Sequence, residues 1–250
     1  SGCMARILNL GSINIDHVYT VDHFVRPGET LDSTEYAIYA GGKGFNQSVA
    51  LARAGAAVMH AGRTGRDADW LLRTLQDEGV DTSRIDVGDV PTGHAIIQVT
   101  PSGENAIVLH GGANRAIARA DVERAVAACV PGDWLLVQNE TSAVSDAMEL
   151  AHDAGLRVAF NPAPMGKDVL DYPLSNVDLF ILNETEAEAL VGIGEPDRAV
   201  DALRVRFPDA ACVLTLGARG AVYLDSGGTW EQAAEIVTAV DTTAAGDTFI

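Results

Sequence analysis

The sequence predicts an α/β protein in three layers, α/β/α, with a mostly parallel central sheet and a small β-sheet lid. Three observations predict this: short apolar runs of strand length, segments of helical period between them, and two stretches where apolar and polar residues alternate. The first apolar run, Ala5 to Leu10, is stopped by Gly11. Similar runs recur at Trp134 to Val137, Val158 to Phe160, Val177 to Leu182 and Cys212 to Leu216, and their near-continuous apolar character is that of strands covered on both faces. Between them, Val122, Ala125, Val126 and Cys129 repeat at i, i+3, i+4 and i+7, and Val144, Met148 and Ala151 form a second helical stripe that ends before Gly155. Strand and helix thus alternate, which is the pattern of a parallel sheet flanked by helices, with ligands beyond the carboxyl ends of the strands. Residues 16–40 and 92–110 break the series, and Pro101, Ser102 and Gly103 punctuate the second stretch. Both read as antiparallel strands of a small appendage near the ligand edge, able to act as a lid and to offer its outer face as a dimer contact. Ordinary surface hairpins are the alternative.

Bulk properties narrow the partners. At 250 residues, 47% of them hydrophobic, the chain can bury one sizeable core. Seventeen Lys and Arg stand against 35 Asp and Glu, a net charge of -18, whose field repels nucleic acid and anionic membrane surfaces. An anionic substrate must then be met locally, by backbone amides, a helix N-terminus or a metal ion. Cys3, Cys129 and Cys212 have no CxxC spacing, and with no apolar run near the ~20 residues needed to span a bilayer, a cytoplasmic protein with reduced thiols is expected. Ser1 to Cys3 precede Met4 and are expected to be an expression remnant. The six histidines include no i, i+4 pair, and no Cys or His set has zinc-ligand spacing, so they read as structural or surface groups.

Two segments carry chemistry. The run Gly41, Gly42, Lys43, Gly44, Phe45, Asn46, Gln47, Ser48 leads into the helical segment from Val49 to Ala54. A glycine turn that opens a helix brings backbone N–H groups close to a ligand, and Lys43 and Asn46 can hydrogen-bond hydroxyls. It lacks the residues of a Walker A loop and of GxGxxG, and by itself it is a binding loop or a structural turn. The second run is Asp241, Thr242, Thr243, Ala244, Ala245, Gly246, Asp247, Thr248, Phe249, after the apolar Ile236 to Val240. Small residues before a carboxylate at a helix start expose successive N–H groups as an anion hole beside a group able to take a hydroxyl proton. An ordinary Asp cap is the alternative.

Together, in this order and separation, the two runs resemble the signatures of the ribokinase-like (phosphofructokinase-B) carbohydrate kinases. The similarity continues at Asn14 and Asp16, at Glu140, at Asn183 to Glu186, and at Thr215, Leu216, Gly217, Ala218, Arg219, Gly220. It implies a single ribokinase-like domain over residues 4–250, with a further C-terminal part beyond Ile250 that would complete the nucleotide and cation sites. It also implies an ATP-dependent sugar kinase that phosphorylates a primary hydroxyl, with the 5-hydroxyl of ribose as the foremost acceptor. Fructose, a related sugar acid or a nucleoside are alternatives within the family, and a sugar-binding regulator without catalysis is a further one. A dinucleotide-dependent oxidoreductase is excluded by the missing GxGxxG after the first strand.

By this resemblance, Asn14, Asp16, Gly42, Lys43, Asn46 and Glu140 would bind the sugar, and Asp247 would bind and deprotonate the acceptor hydroxyl beside the anion hole of Ala244, Ala245 and Gly246. No aromatic cluster accompanies Asn14 and Asp16 in sequence, which suits a bare pentose better than a nucleoside. Asn183, Thr215, Gly217, Ala218, Arg219, Gly220 and Gly246 would serve ATP. Glu186 would act on the water shell of Mg²⁺, and Asp241 and Thr243 would help hold a monovalent cation, K⁺. A homodimer through the lid is expected. The segment Gly62 to Asp67, with Arg63 and Arg66, carries more positive charge than the family pattern.

Overall fold

The computed structural model of the chain describes residues 5–235 and 245–250. In chain order its elements are β1 (Ile7–Leu10), β2 (Asn14–Thr20), β3 (Glu35–Gly41), α1 (Lys43–Arg53), β4 (Val58–Gly65), α2 (Asp69–Asp77), β5 (Asp81–Gly88), β6 (Gly93–Val99) and β7 (Asn105–His110). There follow α3 (Arg119–Val126), β8 (Trp134–Gln138), α4 (Val144–Asp153), β9 (Arg157–Asn161), β10 (Leu179–Asn183), α5 (Glu184–Val191), α6 (Pro196–Arg206), β11 (Ala211–Thr215), β12 (Ala221–Asp225), β13 (Gly228–Gln232) and α7 (Ala245–Phe249).

Nine strands form one sheet in the order β13-β12-β11-β10-β9-β8-β1-β4-β5. From β11 to β5 every neighbouring pair is parallel, and only the β11–β12 and β12–β13 pairs are antiparallel. Side chains alternate across a strand, and here the alternation sorts the helices into two layers. Leu8, Leu10, Leu135, Val137, Val158, Phe160, Phe180 and Leu182 point into a core with Val122, Met148, Leu190 and Leu203 from α3, α4, α5 and α6. Val58 and Ile85 join a second core with Phe45, Leu71 and Leu75 from α1 and α2. The fold is thus the three-layer arrangement expected, around a mostly parallel sheet.

The strands β4 and β5 lie outside the apolar runs. Strand β4 carries His60, Arg63 and Thr64 among its apolar residues, and β5 is a polar edge strand. His60 is fully buried between Ser48 Oγ, 2.7 Å from its Nδ1, and the Gly11 carbonyl, 3.0 Å from its Nε2. Burial holds its pKa down at about 4, so it stays neutral. Arg63 pairs with Asp121 of α3 at 3.1 Å, whereas Arg66 meets Asp89 at the surface.

A second sheet of four strands has the order β3-β2-β6-β7. It corrects one expectation: β2 and β6 pair parallel, and only the two flanking pairs are antiparallel. Its central pair starts at the rim of the large sheet, because β2 follows β1 after only Gly11, Ser12 and Ile13. His17 stands opposite both Ile38 and Ile96, and Ile96 opposite Val108. Ile38, Ile96 and Val108 are exposed, which gives this face of the small sheet an apolar row on three of its four strands, interrupted at β2 by His17. Among the described residues no helix is long and apolar enough to cross a membrane.

Candidate active site

Four parallel strands deliver polar residues to one rim. Strand β1 hands over to Asn14 and Asp16 on β2, β8 is followed by Glu140, β9 ends at Asn161 and β10 at Asn183. That rim is the carboxyl edge, where an open parallel sheet binds ligands. Helix α1 closes it from one side. Its residue Gly44 approaches Gly11 so closely that a Cβ there would lie 2.3 Å from the Gly11 Cα, so the helix start rests directly on the loop after β1.

Under the rim lies a buried amide network. Asn9 Nδ2 donates to the Gly44 carbonyl and to Ser48 Oγ, both at 2.8 Å. Gln138 Nε2 donates to Asn9 Oδ1 at 2.8 Å and to Gln47 Oε1 at 2.7 Å, and Gln47 Nε2 reaches Asn161 Oδ1 at 3.4 Å. Buried polar groups of this kind are stable only when paired, and paired they lock α1 to β1, β8 and β9.

Above this floor, Lys43 and Asn46 share one face of α1 at i and i+3. Asn46 Nδ2 donates to Asp247 Oδ2 at 3.1 Å, and Lys43 Nζ lies 3.8 Å from Asp247 Oδ1. Asp247 is buried at the start of α7. On the other side of Lys43, Glu140 Oε1 accepts from Asn14 Nδ2 at 3.0 Å and from the Lys43 backbone N–H at 3.4 Å. Asp16 is raised to a pKa of about 6, by burial first and by the charge of Glu140 second. Asn14, Asp16, Gly42, Lys43, Asn46, Glu140 and Asp247 therefore converge around one polar hollow. Tyr39 stands opposite Asp16 across the β2–β3 ladder, on the same face of the lid. Distance along the chain hid this aromatic neighbour.

A cleft of about 640 Å³ adjoins this hollow, walled by Asn183, Thr215, Gly217, Gly220, Ala245 and Gly246 among others. Thr215 and Asn183 end neighbouring strands, and the turn after β11 carries Gly217 and Gly220. Ala218 and Arg219, between these two glycines in the same turn, are exposed. Asp241, Thr243 and Ala244 lie outside the described residues.

Asn183 and Glu186 form a reciprocal capping box at the start of α5: Asn183 Oδ1 accepts from the Glu186 N–H at 2.8 Å, and Glu186 Oε2 accepts from the Asn183 N–H at 2.9 Å. Both the capping and the acidic first turn are thus present. Glu186 nevertheless lines the same small pocket as Lys43 and Asp247. Burial raises its pKa, the Asn183 bond and Lys43 oppose the rise, and Asp247 adds to it. Among the described residues no group of three carboxylate, His or Cys side chains converges as a metal cage. One buried carboxylate with one oxygen committed fits an ion that keeps most of its water and takes few protein ligands, as Mg²⁺ does.

The arrangement can hold a polyol hydroxyl against Asp247 and place an anion beside Gly246. Comparisons with known proteins agree in kind. The family profile described as "pfkB family carbohydrate kinase" matches residues 4–250. The ribokinase of Haemophilus influenzae is 43% identical over 250 residues, covering 96% of this chain and 81% of that protein. A ribokinase from Cryptococcus neoformans var. grubii in complex with ADP superposes with a TM-score of 0.81 at 33% identity, covering 98% of this chain and 84% of the other. The Arabidopsis thaliana ribokinase complexed with ribose and ATP gives a TM-score of 0.83 at 26% identity over 99% of this chain and 84% of that one.

Proposed function

The chain belongs to the pfkB family of carbohydrate kinases, and on that premise we propose that it transfers the γ-phosphoryl group of MgATP to the 5-hydroxyl of D-ribose, giving ribose 5-phosphate. One observation carries this reading: Asp247 sits where the polar hollow and the larger cleft meet, tied to Asn46 and Lys43 on the first side, while its neighbour Gly246 walls the second.

The sugar would lie between the lid and α1, its hydroxyls met by Asp16, Asn14, Glu140, Asn46 and the amides following Gly42. A pentose offers many hydroxyls and little apolar area, and this set of carboxylates and amides matches it. Asp247 would take the proton of the attacking hydroxyl. Asn46 and Lys43 hold its carboxylate in place, so the base is oriented before the acceptor arrives. The N–H groups of Ala245 and Gly246, with that of Ala244, would face the transferring phosphoryl group, and the turn after β11 would receive the nucleotide. Glu186 would hold Mg²⁺ through its water shell, and the bound ion would supply charge neutralisation at the β- and γ-phosphates. A monovalent cation, K⁺, beside Asp241 and Thr243 would order the anion-hole loop. The lid would exclude water that competes for the phosphoryl group, and its exposed row of Ile38, Ile96 and Val108 would pack against a second copy of the chain to form a homodimer. A cytoplasmic location suits substrates of this kind.

The test is an acceptor screen in a coupled ADP assay, with and without K⁺. Ribose should give the highest kcat/KM among ribose, fructose, sugar acids and nucleosides. Equal rates across all of these would remove the proposal.

A further inference from the structure

The hollow contains a polar relay that begins at a group unable to turn round. The backbone N–H of Ile13 donates to Asn114 Oδ1 at 3.0 Å. An amide side chain carries its acceptor on one side and its donors on the other, so this contact fixes Asn114 with Nδ2 facing away from that N–H. Asn114 Nδ2 then donates to the Ile13 carbonyl at 3.2 Å and to Asn14 Oδ1 at 2.8 Å. Asn14 is left with its own Nδ2 toward Glu140, to whose Oε1 it donates at 3.0 Å. Each amide's direction is thus dictated by the one before it, and the first is dictated by the main chain.

Three further facts make the relay rigid. Asn114 and Asn14 are 1% and 3% exposed. A Cβ on Gly93, the first residue of β6, would lie 2.2 Å from Asn114 Nδ2 and 2.5 Å from Asn14 Oδ1, so the lid backbone presses on the amide pair. Asn114 itself sits in the short 3-10 helix Gly112–Arg115 just after β7, and its carbonyl accepts from the Ser142 N–H at 2.9 Å, which ties the lid's exit to the loop that carries Glu140.

We propose that Asn114 is a positioning residue for the sugar acceptor, because it sets the donor and acceptor polarity of Asn14 and Glu140. Glu140 would meet the sugar with Oε1 already occupied by Asn14 and the Lys43 N–H, and with Oε2, which has no partner among the described residues, accepting a hydroxyl. Reversing the relay would turn Asn14 Oδ1 against the Glu140 carboxylate, two acceptors with no proton between them. This inference rests on the sugar-kinase reading of the same site.

The experiment compares steady-state constants of purified wild type, Asn114→Asp, Glu140→Gln and the double variant, with thermal melts of each. A carboxylate at 114 still accepts from Ile13 but has no donor for Asn14. The ribose KM should rise roughly 10–100-fold, the order expected for a buried polar pair left unmatched, while the ATP KM stays within about twofold. In the double variant the amide at 140 can donate to a reversed Asn14, so its ribose KM should lie well below the product of the two single effects. A folded Asn114→Asp enzyme with unchanged ribose KM, or strictly multiplicative single effects, would overturn the proposal. If that variant does not fold, Asn114→Ser and Asn114→Ala replace it. The hydroxyl can accept from Ile13 and donate to Asn14, so Ser should retain a lower ribose KM than Ala, and equality would count against the relay. If wild type prefers another sugar, the acceptor assignment falls alone, and the same ratios measured on that sugar decide the role of Asn114.

Discussion

The proposed acceptor side and the proposed nucleotide side of this site are built on different principles. Around Asp16, Asn14, Glu140 and Asp247, side chains hold one another through the Asn114–Asn14–Glu140 relay and the Asn46–Asp247 bond. The cleft beside Gly246 is instead a space of about 640 Å³ whose wall includes the small residues Gly217, Gly220, Ala221 and Ala234 beside the larger Gln232 and Phe249. A sugar's hydroxyls can be told apart only by donors and acceptors in fixed places, and fixing them in advance lowers the cost of binding. A nucleotide brings its own charge and a large ring, and close approach of backbone suffices to seat it. Specificity for the acceptor should therefore lie in side-chain polarity, and affinity for ATP in shape.

Changes on the two sides should then separate kinetically. The largest effect belongs to the residue between them. Asp247→Asn preserves the contact to Asn46 through its amide oxygen but removes the proton acceptor, so kcat should fall roughly 10²–10⁴-fold, the usual contribution of a positioned base. Ribose binding measured by calorimetry should change far less. Near-normal turnover in this variant would place the base elsewhere. On the nucleotide side, Ala221 lies opposite Thr215 at the start of β12 and helps wall the cleft. Ala221→Phe fills that space and should raise the ATP KM about tenfold, the scale of a steric mismatch in a pocket, with the ribose KM unchanged. A matching rise in both constants would show that the two sides are coupled rather than separate.

How much of this was legible in the sequence follows the same division. The central strands announce themselves because they are apolar on both faces, as in the run from Trp134 to Val137, and the catalytic segments are contiguous. Strand β4 was hidden because His60 and Thr64 occupy buried positions where apolar residues are expected, and the partners of His60, Ser48 and Gly11, come from elsewhere in the chain. Gln138 and Asn161 directly follow apolar runs, but their shared partner Gln47 lies on a helix far away in sequence, so the network they form was not readable. Asn114 gave no local signal, since its meaning depends on Ile13 and Asn14 in one distant segment and Gly93 in another. The parallel pairing of β2 with β6 was equally out of reach, because alternation within each strand does not specify its partner's direction. The glycines after β11 were readable as a turn, but that Gly217 and Gly220 line a cleft shared with Gly246 was not.

The smallest expected effect tests whether the acceptor side is strained before the sugar arrives. The pKa of Asp16 is raised from 3.8 to about 6 by burial and by Glu140, so the folded chain binds this proton more tightly than the unfolded one. Its contribution to stability is full at pH values below 3.8 and is lost as pH rises through about 6. At pH 7 to 8 the ionised carboxylate is therefore a burden on the ligand-free fold. Asp16→Asn should raise the melting temperature there by a few degrees, and the gain should shrink toward zero near pH 4. Catalysis should show the opposite trend, because a carboxylate accepts from two hydroxyls where the acid does so poorly. The wild-type ribose KM should climb as pH falls below about 6, and in Asp16→Asn it should be high and flat across that range. A melting-temperature difference that does not vary with pH would mean that Asp16 is not under this strain, and that the acceptor side is preorganised without cost to the fold.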